Sequence, residues 1–135
     1  MVKIFIFFSL FTIQLGFAQS GKPSIDVINS SGAVRISFVE NEVEAKKLAQ
    51  IDIENQILVL FLQSGISPIT YSNDIIFENK YNLFYFELGC VSHEPSIIES
   101  YNFQVFKFLD SKFGKDWRKK IRKDIIGFKE YKKSN

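Results

Sequence analysis

The sequence predicts a single small α+β domain, and three observations carry that prediction. The run Leu83–Leu88 is apolar on both of its alternating faces apart from Glu87, the composition of a central strand covered on each side. Apolar residues recur at helical spacing before it, over 41–63, and after it, over 95–126. Once an N-terminal leader of 18 residues is set aside, 117 of the 135 residues remain, which is one domain with length enough for one core. The only cysteine is Cys90, so no internal disulfide can form, and a 46% hydrophobic composition must hold the fold by burial.

The leader is Met1–Ala18. It carries one cation, Lys3, then an apolar run from Ile4 to Phe11 that continues weakly to Leu15, then the small residues Gly16 and Ala18. That order is the pattern of a secretory signal cleaved after Ala18. A membrane-spanning helix needs about 20 consecutive apolar residues, and Thr12, Gln14, Gln19 and Ser20 interrupt the run. The chain is therefore expected to begin at Gln19 after export, periplasmic or secreted, with no stable membrane anchor. Residues 19–24 form a flexible lead-in, 25–131 the domain, and 132–135 a tail.

Within the domain, Ile25–Ile28 and Ala33–Val39 are rich in β-branched residues and flank the turn-type cluster Asn29–Gly32, which predicts a β-hairpin. Asn41–Gln63 changes to helical period through Leu48, Ile51, Ile57, Leu58, Phe61 and Leu62. Asn41 is placed to cap this long helix, Glu44 to complete a capping box, and Gly65 to end it. A buried strand over Ile57–Leu62 is the alternative for its last turns. Pro68–Tyr71 suits a short edge strand. Asp74–Lys80 reads as a short helix capped by Ser72 or Asn73 and ended by Asn82 in the left-handed region. After the central strand, Pro95 opens a helix with the stripe Ile98, Tyr101, Val105, Phe108 and Leu109, stopped at Gly114. Asp116 is placed to cap a last helix whose seam is Trp117, Ile121, Ile125 and Phe128, and Gly127 weakens that pattern beyond Ile126.

Phe77-Glu78-Asn79-Lys80-Tyr81, the aromatic strand ending Leu88-Gly89-Cys90, Tyr101-Asn102, Phe106–Leu109, Gly114–Lys119 and Ile121–Gly127 together resemble the FEKKY-domain proteins. These are small exported bacterial proteins, mostly of the Bacteroidota, named for a Phe-Glu-Lys-Lys-Tyr motif. The resemblance covers about residues 45–128 and departs at Asn79, where the motif has lysine. It implies an exported domain and carries no catalytic residues over to this chain.

Charge is unevenly spread. Residues 115–133 hold nine Lys or Arg against three acids, whereas residues 19–114 hold seven against twelve. The basic end reads first as a solvated helix face. As a contact surface, Arg118, Lys119, Arg122 and Lys123 in neighbouring turns suit phosphates, anionic polysaccharide or a lipid surface, or an envelope protein. Export argues against nucleic acid. Membrane insertion asks for a broad apolar face, and Trp117, Ile121 and Ile125 are needed for the core.

Cys90-Val91-Ser92-His93-Glu94 is the one polar constellation with nucleophilic potential. It follows a strand and precedes a helix, where a thiol can be activated with a histidine as base. Read plainly, Cys90 is a small buried hydrophobe and His93 an exposed side chain. Cys90, His93 and Glu94 could supply ligands, but a structural zinc site takes four with paired spacing, and no cofactor motif is present. The expectation is an exported, non-enzymatic binding or structural module of the cell envelope, with a thiol-dependent enzyme using Cys90 and His93 as the alternative.

Overall fold

The computed structural model describes residues 24–63, 65, 67, 69–89 and 94–134. The leader 1–18 lies outside them. Ser24 opens a short helix α1, Ile25–Ser30, by accepting the Val27 N–H, and Ser31 opens α2, Gly32–Arg35, by accepting the Ala33 N–H. A 3-10 turn, Ile36–Phe38, continues the path. The hairpin expected over residues 25–39 is therefore not formed. Two serine caps decide these residues against their β-branched composition, which favours a strand only where another strand lies beside it.

Helix α3 spans Glu42–Glu54, with Asn41 accepting the Glu44 N–H and the Glu44 carboxylate accepting the Glu40 N–H. It ends nine residues short of the expected boundary. Gln56 turns into positive φ, 61°, the Ile57 N–H closes on the Asp52 carbonyl, and the chain leaves as strand β1, Leu58–Leu62, every residue of which is buried. The weighed alternative of a buried strand is what the structure adopts, and Gly65 caps nothing. Ile69–Tyr71 form no strand, and Pro68 lies outside the described residues.

Helix α4, Ser72–Tyr81, follows, with the Asp74 carboxylate accepting the Tyr71 N–H and Asn82 taking the left-handed conformation at its end. Strand β2, Leu83–Glu87, then pairs in parallel with β1, Leu60 opposite Tyr85 and Phe61 opposite Phe86. The unit is β–α–β. Tyr85 stacks on Phe77 of α4, whereas Phe61 reaches Phe86 and Tyr101, placing α4 and the next helix on opposite faces of the sheet. Phe77 and Tyr81 are thus core residues, Glu78 accepts the Tyr85 N–H at 2.9 Å, and Asn79 and Lys80 face solvent. A lysine-to-asparagine difference at 79 touches nothing in the interior.

Helix α5, Pro95–Phe113, stops at Gly114 as expected and packs along α3. Its inward side includes Asn102 and Phe106 in addition to the expected stripe. Asn102 is fully buried. Its amide accepts the Phe61 N–H and donates to the carbonyls of Phe61 and Ile126, so it bridges β1 to a distant segment. That segment, 120–127, is irregular rather than helical. It lies along the outer edge of β1, through Gln63 N–H to Asp124 and Ile126 N–H to Phe61, with Leu62 opposite Ile125.

The expected last helix is thus replaced by a 3-10 turn, Asp116–Lys119, and a short α6, Phe128–Ser134. An unwound chain can satisfy backbone groups on a strand edge, which a helix cannot. Gly127, at φ 77°, makes the turn into α6 where a Cβ would stand 2.9 Å from Glu99 and Phe103 side-chain atoms. The strand with neighbours on both edges is therefore β1, and β2, the strand expected to be central, lies at the side. Among the described residues the apolar core is one continuous cluster from Ala33 to Tyr131.

Candidate functional site

The C-terminal region is assembled around two arginines. Trp117 sits fully buried against Phe106, and the following Arg118 folds back on α5 to bond both oxygens of Asp110. Asp110 also accepts Trp117 Nε1–H at 3.1 Å and the Tyr131 hydroxyl at 2.7 Å. Burial pushes the Asp110 carboxyl up, but the bonds from Arg118, Tyr131 and Trp117 and the Arg118 charge outweigh it and hold the group below the usual carboxylate range. Burial and Asp110 push the Tyr131 phenol up to about 12.

Arg122 reaches across the molecule. It bonds both oxygens of Asp124, at 2.9 and 2.5 Å, Asp74 of α4 at 3.0 Å and the Ile69 carbonyl at 2.7 Å. Its guanidinium lies 4.9 Å from the Tyr71 ring centre. With 8% of its side chain exposed, it is a cross-link between α4 and the 120–127 segment. Bonding to Arg122 holds the Asp124 carboxyl low.

The four expected contact residues, Arg118, Lys119, Arg122 and Lys123, therefore do not share one helix face. Arg122 is turned inward, Arg118 is paired at the surface edge, Lys119 is exposed in a pair with Asp116, and Lys123 is exposed. What the fold builds is a cleft of about 430 Å³ floored by Ile121 and Phe128 and rimmed by Lys123, Lys129, Lys132 and Lys133 with Arg118 and Lys119. Among the described residues no carboxylate lines it. Among the described residues Lys123, Lys129 and Lys133 have no ion-pair partner. Lys129, Lys132 and Lys133 were legible in the sequence only as part of a charge run, because an unbroken helix over 116–126 would not have folded them back against 118–123.

Cys90 and His93 lie outside the described residues. A second cleft, of about 500 Å³, opens at the C-terminal ends of β1 and β2, lined by Gln63, Leu88 and Gly89 on one side and Glu99, Lys129 and Glu130 on the other. Burial, then the charges of Glu130 and Glu42, raise the Glu99 carboxyl. Among the described residues no three His, Cys, Asp or Glu side chains group as metal ligands, and no helix is long and apolar enough to cross a membrane. No family model, curated protein or solved structure matches the chain.

Proposed function

We propose that the protein is an exported, non-enzymatic binding module of the cell envelope that takes an anionic ligand in the Ile121–Phe128 cleft. The family resemblance around Phe77–Tyr81 and Trp117 belongs to the same reading. The observation that supports it is the cleft's composition: six cations, of which Arg118 and Lys119 are paired with Asp110 and Asp116, around two apolar residues, with no acid among the described lining residues. Placing like charges together costs stability unless an anion neutralises them, and Ile121 and Phe128 offer contact to an apolar body attached to that anion. The alternative, a thiol-dependent enzyme using Cys90 with His93, is supported by Gly89, the residue before the cysteine, lining the strand-end cleft.

Calorimetric titration of the chain from Gln19 with monomeric octyl phosphate tests the proposal. Saturable binding that weakens with salt is expected, and Lys129→Gln with Lys132→Gln should lower affinity by about tenfold, the scale of a charge-assisted hydrogen bond. Cys90→Ala should bind like wild type. Binding that is absent, or indifferent to the lysines, removes the cleft reading.

A further inference from the structure

We propose that the outer face of α4 and the adjoining lysines form a contact surface for an anionic lipid bilayer. This rests on the reading of the basic end as an anion-binding region and names the partner it meets. The argument begins with α4. Its acids, Asp74 and Glu78, are turned inward and bonded, Asp74 to Arg122 and the Tyr71 N–H, Glu78 to the Tyr85 N–H. The outward positions are Ser72, Asn73, Ile75, Ile76, Asn79 and Lys80, which include no acid. Ile75 is 51% exposed and Ile76 66%, and Ile69 and Tyr71 just ahead of the helix are exposed by 54% and 52%.

Of these aliphatic side chains, Ile76 stands beside cations. A cleft of about 450 Å³ joins Ile76 and Lys80 to Lys119 and Lys120, and Lys119 also rims the Ile121–Phe128 cleft. The acids in this neighbourhood are engaged: Asp116 is bonded to Lys119 and held low by it, Glu87 accepts the Ile69 N–H at 3.3 Å, and Asp124 is bonded to Arg122. Soluble phosphate or an acidic polysaccharide would use the lysines and leave the isoleucines in water. A bilayer bearing phosphate headgroups uses both, the lysines at the headgroups and Ile75 and Ile76 at the acyl boundary. Sequence alone does not reveal this, since Trp117, Ile121 and Ile125, the apolar residues nearest the basic run, are all buried.

Sedimentation of the chain from Gln19 with phosphatidylglycerol-containing vesicles, pure phosphatidylcholine vesicles and dextran sulfate as a soluble polyanion tests it. Binding to the anionic vesicles alone among the lipids is expected. Ile75→Ser with Ile76→Ser should lower vesicle binding by about tenfold or more and leave octyl phosphate titration unchanged. Lys119→Gln with Lys120→Gln and Lys123→Gln should lower both. Vesicle binding that survives loss of the isoleucines, or binding to dextran sulfate with none to vesicles, overturns the bilayer contact. Octyl phosphate binding without vesicle binding leaves the cleft standing and removes only this inference, whereas vesicle binding without octyl phosphate binding removes the cleft and leaves the bilayer contact.

Discussion

Two carboxylates, Asp52 of α3 and Asp110 of α5, each tie a short helical segment to the body of the molecule, and they do so with opposite electrostatics. Asp52 is 1% exposed and accepts the Gly32 N–H and the Tyr101 hydroxyl, both at 2.6 Å, which anchors α2. The contact is so close that a Cβ at Gly32 would stand 2.6 Å from the Tyr101 ring and 2.7 Å from the Asp52 carboxylate. Among the described residues no cation bonds it; burial leaves the carboxyl above its ordinary value, and Arg35 contributes only charge. The Tyr101 phenol is raised in turn, by burial and by Asp52. Asp110 anchors the segment after α5 and is held low because Arg118 bonds it. Neutral donors do not repay the burial of a carboxylate, whereas a guanidinium does.

The largest way to break this comparison is to remove the carboxylates. Asp110→Ala leaves Arg118, 11% exposed, without its partner, and should cost about 3–5 kcal/mol in urea unfolding at pH 7. Asp52→Ala leaves only neutral donors unpaired and should cost about 1–3 kcal/mol. Equal losses would show that Arg118 contributes nothing beyond its hydrogen-bond geometry.

A smaller effect sharpens the contrast through pH. The folded-state carboxyl of Asp110 is lowered, so its stabilisation is present above the unfolded value near pH 4 and is lost as pH falls through the folded value. That of Asp52 is raised, so its contribution is fully present below about pH 4 and is lost as pH rises through the folded value. The stability difference between wild type and Asp110→Asn should therefore shrink on acidification, and that between wild type and Asp52→Asn should grow, in unfolding curves taken from pH 3 to 7. Parallel trends would mean that the two environments do not differ as described. The smallest effect belongs to the exposed Lys119–Asp116 pair, both partners of which face water. Lys119→Ala should leave the unfolding midpoint unchanged while weakening octyl phosphate binding, which separates the surface cations from the structural arginines.

The same division between local and distant causes sets what was readable in the sequence. Among the candidate site residues, the sequence pointed to the basic end and could not tell Arg122, buried between Asp74 and Asp124, from Lys123 beside it. Position along a helix decides neither. A guanidinium that can bond several acceptors in one plane is drawn inward when carboxylates are at hand, and one of them, Asp74, comes from another element.

The sequence by itself determined the features whose physics is local. These are the Asn41 cap, the left-handed Asn82, the bounds of α5 at Pro95 and Gly114, the mixed α+β class, and the burial of Trp117, Ile121, Ile125 and Phe128. Each follows from a side chain acting on its own backbone neighbours or from a large apolar surface leaving water. Only the tertiary structure decided that Leu58–Leu62 is a strand and that residues 120–127 unwind beside it. The backbone groups of β1 find their partners on β2, on Asn102, which lies 41 positions from Phe61, and on the carbonyl of Asp124. A buried strand must satisfy its edges wherever a partner stands in space, and no periodicity along the chain records where that is.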